Sequence, residues 1–226
     1  MEIPYGELMK YHNNPEVAQI YDYPVYSDEF TPLLSILMPN TNILDLGCGN
    51  GKFYNQSILP MAYEGEYVGI DNDPTLKNVV NFKIFETVDE VVEAYPPRHF
   101  DVLMMYNFAE HVSLEEFYEM VIKLNPLVDA NIAILTPNVK CLDYLHNDPQ
   151  HKSFYPHDFL YGLLKHLDFQ NIEIYRGGGY HMLREHHLRA HPEMTHLEEM
   201  NDYQRRVCLS MGLDWYGNIL MIGERE

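Results

Sequence analysis

The segment Asp45-Leu46-Gly47-Cys48-Gly49-Asn50-Gly51 closes a short apolar run that starts at Ile43, and it places glycines at alternate positions. A run of this length that ends in glycines is typical of a buried strand that delivers a tight loop at its carboxyl end. The glycines let the backbone turn sharply, and they let a ligand approach the main chain without interference from Cβ atoms. The segment therefore predicts a ligand-binding loop at the edge of an α/β sheet.

The spacing of this glycine loop excludes two common phosphate sites. A GxGxxG dinucleotide fingerprint counted from Gly47 needs a small residue at position 52, where the chain has Lys52. No Gly-Lys-Ser/Thr follows four spacer residues, so the loop is not a P-loop. The carboxylate of Asp45 would repel phosphate, but it suits an ammonium or sulfonium cation. The loop therefore favours a ligand such as S-adenosylmethionine, which carries both cations.

A second carboxylate supports a ligand that contains ribose. Asp71 ends the next apolar run, Tyr67–Ile70, and lies well after Gly51 in the chain. In nucleotide-binding βαβ units, an acidic residue at the end of the second strand accepts hydrogen bonds from ribose hydroxyls. Asp71 is therefore the predicted ribose ligand.

The rest of the chain alternates strands with helices. Strands are predicted at 43–46, 67–70, 82–85, 101–106, 131–135, 171–175 and 218–222. Helices are predicted at 52–62, 87–95, 113–125 and 159–167. The third helix opens with a capping box formed by Ser113 and Glu116. This alternation predicts a doubly wound, Rossmann-like α/β fold with a sheet covered on both faces.

We expect one domain with two helical caps. The 226 residues are 46% hydrophobic, which suffices for one core, and no linker divides them. Two regions stand outside the alternation: one is rich in tyrosine, the other in histidine, methionine and arginine. We interpret residues 1–40 as an N-terminal cap, 41–176 as the cofactor-binding core, 177–216 as a cap insertion and 217–226 as the last strand.

Net charge, the length of the apolar runs and the cysteine content predict which partners are unfavourable and where the protein is located. The chain has 15 basic and 34 acidic residues, and the formal net charge of −19 makes nucleic acid an unfavourable partner. No apolar run approaches the ~18 residues needed to span a bilayer, so no membrane partner is expected. The cysteines Cys48, Cys141 and Cys208 form no CxxC pair. Their odd number without a secretory signal predicts reduced thiols in the cytoplasm.

Several short motifs occur in the order found in one enzyme superfamily. They are Leu44-Asp-Leu-Gly-Cys-Gly-Asn-Gly51, Val68-Gly-Ile-Asp71, Phe100-Asp-Val102, Glu110-His-Val112, Thr136-Pro-Asn138 and His151-Lys-Ser-Phe154. With these motifs the chain resembles the class I S-adenosylmethionine-dependent methyltransferases, especially the group that acts on small molecules, from about Tyr21 to Tyr175. The resemblance implies a seven-stranded sheet of order 3-2-1-4-5-7-6, in which strand 7, here 218–222, is antiparallel.

The same resemblance implies which residues hold the cofactor, S-adenosylmethionine. Asp45, Gly47 and Gly49 would hold its methionine part, and Asp71 would hold the ribose. The complete set of cofactor residues implied in this way is Tyr21, Asp45, Gly47, Cys48, Gly49, Gly51, Asp71, Asn72, Thr87, Tyr106 and Asn107.

The remaining parts of the cofactor are assigned in the same way. Tyr106 or Asn107 would lie nearest the sulfonium, and Tyr21 or Tyr26 would cover the cofactor. Beside the adenine, the family often has an Asp followed by a small residue, and this chain has Glu86-Thr87-Val88 instead.

Two histidines are the predicted catalytic residues. A hydroxyl acceptor is helped by a base, and a histidine with a pKa near ~6.5 suits that task at neutral pH. His111 follows a strand at the carboxyl edge of the predicted sheet, beside Glu110, which would orient it. A purely structural role for this pair, fixing the loop or capping the following helix, is the other interpretation. His151 would, by the resemblance, face the acceptor.

A metal site is a third interpretation of the same region. If helical, Asn107, Glu110 and His111 would share one face. The pattern is similar to the Glu-x-x-Glu-His of metal-dependent small-RNA 2′-O-methyltransferases and quinone-ring O-methyltransferases. Asn107 replaces the first Glu and removes one anionic ligand, unless His151 or His157 completes the shell. The prediction is therefore a site without metal.

Taken together, the motifs predict an enzyme that transfers a methyl group from S-adenosylmethionine to a small-molecule acceptor, at oxygen first, with nitrogen and carbon acceptors left open. An RNA or protein methyltransferase is one alternative, although the sequence shows no basic face. A non-catalytic scaffold of the same fold that binds the cofactor is the other.

Overall fold

The sheet that carries the glycine loop contains eight strands. The computed structural model describes residues 3–11, 17, 20–22, 31–139, 141, 149–179 and 216–225. The strands are β1 (Ile20–Asp22), β2 (Ile43–Leu46), β3 (Tyr67–Ile70), β4 (Lys83–Phe85), β5 (Phe100–Tyr106), β6 (Val128–Pro137), β7 (Gln170–Gly179) and β8 (Tyr216–Glu224). They lie in the order β1-β7-β8-β6-β5-β2-β3-β4.

Seven of these strands form the predicted sheet. β2 pairs in parallel with β3 and β5, while β3 pairs in parallel with β4 and β5 with β6. β8 lies antiparallel between β6 and β7. If β2 is counted as strand 1, the order is 3-2-1-4-5-7-6 with strand 7 antiparallel, so the predicted topology is confirmed.

β1 is an addition to the predicted sheet. It pairs in parallel with Ile174, Tyr175 and Arg176 of β7 and forms an edge of the sheet. A strand of this length is too short to show an alternating pattern. Only its pairing with β7 defines it, which is a contact between distant parts of the chain.

Five α-helices cover the sheet in the part of the chain that the structure describes. They are α1 (Tyr5–Leu8), α2 (Thr31–Leu34), α3 (Val88–Ala94), α4 (Leu114–Leu124) and α5 (His157–His166). The helix predicted at 52–62 is irregular, with a π-helical turn at Tyr54–Ile58 and a 3₁₀ turn at Leu59–Met61. Ser113 and Glu116 form the predicted capping box of α4.

Apolar side chains are buried on both faces of the sheet. Leu44 and Leu46 of β2 belong to the core that includes residues of α3, α4 and α5. Ile43 belongs to the opposite core, which contains Leu33 of α2 and Phe53 of the irregular helix. The alternation along β2 therefore separates two cores, as a doubly wound fold requires.

Residues 3–11 of the predicted N-terminal cap pack on α5. Leu8 is fully buried, and a Cβ atom on Gly162 of α5 would lie 2.0 Å from the Leu8 carbonyl oxygen. Of the predicted cap insertion at 177–216, only residues 177–179 and 216 are described, so that cap stays a prediction. Among the helices of the described segments, none has the length and apolar character that crossing a bilayer requires.

Candidate active site

The glycine loop begins directly after β2 and has an unusual backbone. Gly47 and Gly49 have φ angles of 80° and 49°. A Cβ atom on Gly47 would lie 2.3 Å from the ring of Phe108, so a side chain there would clash. A Cβ atom on Gly49 would have no described atom within 4 Å apart from those of its chain neighbours. The loop therefore needs Gly47 for packing, and it leaves the backbone at Gly49 open to a ligand.

Hydrogen bonds fix the loop to the end of β3. The backbone N–H groups of Gly47 and Cys48 donate to the Ile70 carbonyl oxygen at 2.8 and 3.2 Å. The N–H of Gly49 donates to Oδ2 of Asp71 at 2.9 Å. The predicted ribose ligand therefore lies beside the glycine loop, at the same edge of the sheet.

Asp45, the last acidic residue before the glycines, is buried with 2% of its surface exposed. The hydroxyl of Tyr67 donates a hydrogen bond to its Oδ2 atom. Burial raises the pKa of Asp45 to about 7, the bond from Tyr67 opposes that rise, and the charge of Asp71 adds to it. The carboxylate is therefore held in a place where a neighbouring cation would stabilise its charged form.

Asn107 lies just beyond the end of β5 in a left-handed conformation, with φ of 48°. Its N–H donates to the Leu135 carbonyl oxygen at 2.9 Å. This backbone turns the chain away from the sheet, so the side chains of Asn107 and the preceding Tyr106 line different pockets. Asn107 lines the cleft described next, whereas Tyr106 lines a small apolar pocket with Leu33 and Met104.

A cleft of about 750 Å³ lies at the carboxyl edge of the sheet, within the size range of ligand pockets. It is lined by Gly47, Asp71, Asn72, Thr87, Asn107 and His111 from the predicted site residues. Apolar walls come from Phe108, Val112 and Met120. The structure thus brings five of the eleven predicted cofactor residues and one predicted catalytic histidine to a single cleft.

Carboxylates outnumber amines on the walls of this cleft. The acidic lining residues are Asp71, Glu86, Asp89, Glu116 and Glu119, and the lysines are Lys123 and Lys152. Lys123 pairs with Asp89 and Glu119 at 2.9 and 3.2 Å. The surplus of negative charge favours neutral or cationic ligands over polyanions.

His111 is part of a cluster with Glu110 and His151. One donor atom from each residue lies within 4.8 Å of the other two. The histidine rings meet edge to face, with centroids 5.1 Å apart. Glu110 is 1% exposed, and its Oε2 accepts a hydrogen bond from the Thr136 hydroxyl at 3.1 Å. Residues far apart in the chain therefore converge at the end of β5.

The sequence matches a family described as a methyltransferase domain over residues 18–174, which is more than half of the chain. The chain belongs to this methyltransferase family. Its cofactor is S-adenosylmethionine, and the enzyme is a methyltransferase that depends on it. No curated protein matches the sequence.

Solved structures of methyltransferases share the fold. An S-adenosylmethionine-dependent methyltransferase from Archaeoglobus fulgidus is 20% identical, with a TM-score of 0.66 over 87% of this chain and 91% of that chain. A phosphoethanolamine N-methyltransferase from Haemonchus contortus is 12% identical, with a TM-score of 0.54 over 84% and 49% of the two chains. A small RNA methyltransferase is 15% identical, with a TM-score of 0.54 over 83% and 23%. At these identities the likeness concerns the fold alone.

Two buried oxygen atoms of the methyltransferase fit a bound cofactor. Oδ1 of Asp45 and Oδ1 of Asn107 are buried and have no hydrogen-bond partner among the described residues. A buried polar atom without a partner costs about 1–3 kcal/mol. The ammonium group of S-adenosylmethionine is a donor, and its sulfonium is a cation. The ends of β2 and β5 therefore suit the cofactor in both hydrogen bonding and charge.

Two other predicted residues support the loop of the methyltransferase from inside. Cys48 is buried, and a Cβ atom on Gly69 would lie 2.5 Å from its sulfur atom. Gly51 lies against the ring of Phe82, which a Cβ atom would approach to 2.7 Å. Both positions therefore shape the backbone of the loop.

The structure does not bring Tyr21 to the glycine loop. The backbone of Tyr21 pairs with Tyr175 in β1 and β7. β1 is separated from β2 by four intervening strands, or roughly 24 Å at the usual strand spacing. Tyr26, the other aromatic residue considered for covering the cofactor, lies outside the described residues. The backbone of Tyr21 therefore lies far from the glycine loop, and the covering role of Tyr21 or Tyr26 stays a prediction.

Several lining residues of the methyltransferase were not predicted. Phe108 contacts Gly47, and Gln150 and Lys152 border the cleft beside His151. Thr87 was predicted, but its hydroxyl also accepts a hydrogen bond from the Glu90 N–H and caps α3. The Thr-x-x-Glu spacing that signals this cap is present in the sequence. Phe108 carries no such signal, because its role depends on how β2 and β5 align.

Proposed function

We propose that this methyltransferase transfers the methyl group of S-adenosylmethionine to a hydroxyl oxygen of a small molecule. The observation that carries the proposal is that His111 lines the same cleft as Gly47 and Asp71. A cofactor held by the glycine loop would share this cleft with an acceptor that reaches the histidine. Histidine is the side chain best suited to accept a hydroxyl proton at neutral pH.

Each part of the cofactor has a proposed partner. Asp45 would receive the ammonium group, because its buried Oδ1 is without a partner among the described residues. Asp71 would bind the ribose hydroxyls, and Asn107 would lie nearest the sulfonium. Thr87 and Val88 would border the adenine, since both line the cleft.

The proposed reaction is an in-line displacement. The acceptor oxygen attacks the methyl carbon, an O–C bond forms, and the C–S bond breaks with its electron pair moving to sulfur. The cofactor leaves as neutral S-adenosylhomocysteine, and His111 takes the hydroxyl proton and releases it to water. Holding the oxygen against the methyl carbon in the cleft supplies much of the acceleration.

The charge of the cleft supports a small acceptor over RNA. Five lining carboxylates against two lysines would repel a phosphate backbone. A small RNA methyltransferase does share the fold, so RNA is the second candidate. Tight RNA binding that weakens steeply with salt would favour that candidate, and absence of binding at about 150 mM salt would favour the first.

The test begins with calorimetric titration of the purified chain with S-adenosylhomocysteine. Micromolar binding is expected, and no binding would contradict the proposed cofactor contacts and favour a non-catalytic scaffold. A panel of phenols, alcohols and amines is then assayed for production of S-adenosylhomocysteine. Methylation of a hydroxyl supports the proposal, whereas turnover only with amines would contradict oxygen as the acceptor atom.

A substitution separates catalysis from binding. His111→Gln is expected to lower kcat by about 10²–10⁴-fold and to leave S-adenosylhomocysteine affinity unchanged. His166→Gln is the matched control, because His166 lies on α5, where its ring contacts Tyr118 and Glu7. Equal activity of the two variants would remove His111 from the proposed mechanism.

A further inference from the structure

We propose that Glu110, His111 and His151 bind one divalent transition-metal ion beside the part of the cleft that His111 lines. The binding itself stands on the geometry of these three residues. Its role rests on the proposed O-methyl transfer: when the ion is bound, His111 would act as a ligand, and the ion, in place of a free His111 imidazole, would hold the acceptor hydroxyl and favour loss of its proton.

The distances suit one shared ion. The three donor atoms lie within 4.8 Å of one another. Ligands bonded to one ion at ~2.1 Å are separated by roughly 3–4 Å. Small side-chain rotations would therefore close the cluster around an ion without movement of the backbone.

Hydrogen bonds hold the two chain segments of the cluster together. The N–H groups of Lys152 and Ser153 both donate to the Glu110 carbonyl oxygen, at 2.7 and 3.1 Å. The Ser153 hydroxyl donates to the Val112 carbonyl oxygen at 2.7 Å. Since these bonds flank His151 and His111, they hold the two histidines close together.

The carboxylate is oriented by a second residue. Thr136, near the end of β6, donates its hydroxyl hydrogen to Oε2 of Glu110. Metal-binding carboxylates are commonly held in place by such outer hydrogen bonds, which fix the direction of the ligand oxygen. Glu110 is buried, so a cation would act on it with little screening by water.

The donor set indicates the class of metal. Two imidazoles and one carboxylate suit zinc, iron, cobalt or manganese better than calcium or magnesium, which prefer all-oxygen shells. Three protein ligands also leave positions open, as in catalytic rather than structural metal sites. His111 faces the cleft, so an acceptor oxygen could take an open position.

The structure does not place Asn107 on a shared helical face with Glu110 and His111. Only Ala109–His111 form a helical turn after β5, and it is a 3₁₀ turn, so Asn107 is outside it. His151 instead supplies the third donor, from a loop some forty positions later in the chain. His151 would thus supply the ligand that is missing from the sequence pattern because Asn107 replaces its first Glu.

The test is a titration of the chelator-stripped full chain with Co²⁺, followed by its visible absorption spectrum. One Co²⁺ per chain is expected, and Zn²⁺ should displace it. His151→Ala and Glu110→Gln should each lower the Co²⁺ affinity by about 100-fold or more. Retention of wild-type affinity in both variants would overturn the proposal.

Controls address other histidines and folding. The double variant His186→Ala/His187→Ala alters the histidine-rich stretch outside the described residues and should retain Co²⁺ binding. If thermal melting shows that the His151→Ala variant is not folded, His151→Asn replaces it in the Co²⁺ titration. Binding lost only in the double variant would place the metal elsewhere and contradict the proposal.

The outcomes separate this inference from the proposed function. S-adenosylhomocysteine titration in the same variants should give unchanged affinity. Turnover that is insensitive to chelator, in a chain that fails to bind Co²⁺, would overturn the metal site and leave O-methyl transfer intact. Co²⁺ binding without methylation of any hydroxyl would overturn O-methyl transfer and leave the metal site intact.

Discussion

Asp45 combines a binding role with a folding cost. Burial raises its pKa to about 7, against a value of 3.8 for the free side chain. The free energy of unfolding of the ligand-free protein therefore falls as the pH rises from about 4 to 7, because the carboxyl ionises in the unfolded chain but stays largely protonated in the folded one. A cation placed beside Asp45 would remove this penalty, which explains why a buried carboxylate is tolerated at the start of the loop.

The affinity for S-adenosylmethionine should depend on the protonation of Asp45. Binding of a cation favours the carboxylate, so a proton is released and the affinity rises with pH until the pKa near 7 is passed. Between pH 6 and 7.5 we expect a roughly eightfold gain in affinity by calorimetry. Asp45→Asn should bind more weakly and with little pH dependence. An unchanged slope in that variant would contradict the assignment.

Gly47 and Gly49 should respond differently to the same substitution. Gly47→Ala forces a Cβ atom against Phe108 and should lower the free energy of unfolding by about 1–3 kcal/mol. Gly49→Ala enters open space at a φ of 49° and should cost about 1–2 kcal/mol. Its main effect should be at least a tenfold loss of S-adenosylhomocysteine affinity. Normal binding by Gly49→Ala would show that no ligand approaches this backbone.

The helices α3 and α4 both begin at the cleft with a capping box. Thr87 accepts a hydrogen bond from the Glu90 N–H at 3.3 Å, and Ser113 accepts one from the Glu116 N–H at 3.2 Å. The spacing of both pairs is visible in the sequence, because capping is a local interaction. The irregular helix after the glycine loop was less predictable, since its π-helical turn has no comparable local signature.

These two caps provide a matched pair of substitutions. Thr87→Ala and Ser113→Ala should each lower the free energy of unfolding by about 1 kcal/mol. Only Thr87 lines the cleft, so only Thr87→Ala should also weaken S-adenosylhomocysteine binding. Chemical denaturation and calorimetry measure both effects. If neither variant changes affinity, Thr87 is a helix cap and not an adenine contact.

At the scale of the whole molecule, Arg225 joins elements at the edge of the sheet opposite the cleft. Its guanidinium donates to the Val128 and Leu167 carbonyl oxygens and to the Asn125 side chain. It also lies over the ring of Phe169, 4.4 Å from the centroid. One side chain therefore connects the start of β6, the end of β8 and the segments after α4 and α5.

Loss of this connection should affect stability alone. Arg225→Ala is expected to lower the free energy of unfolding by about 1–3 kcal/mol, because several carbonyl groups lose a donor. Arg225→Lys should retain little of this stabilisation, since one ammonium group cannot reach the same acceptors. Arg98→Ala, which removes an exposed ion pair with Asp129, should change stability by less than about 1 kcal/mol. Reduced S-adenosylhomocysteine affinity in Arg225→Ala would contradict the expectation that Arg225 affects stability and not the cleft.

The order of the seven strands was implied by the resemblance to class I methyltransferases and not by periodicity. Local patterns in the chain were sufficient for the strands themselves, the glycine loop and the position of Asp71. These features depend on hydrophobic periodicity and on turn chemistry, which neighbouring residues carry among themselves. The position of β1 and the convergence of His151 on Glu110 and His111 depend on contacts between distant segments. Such contacts arise only when parallel strands bring their carboxyl ends to one edge and the connecting loops pack there, so only the folded chain decides them.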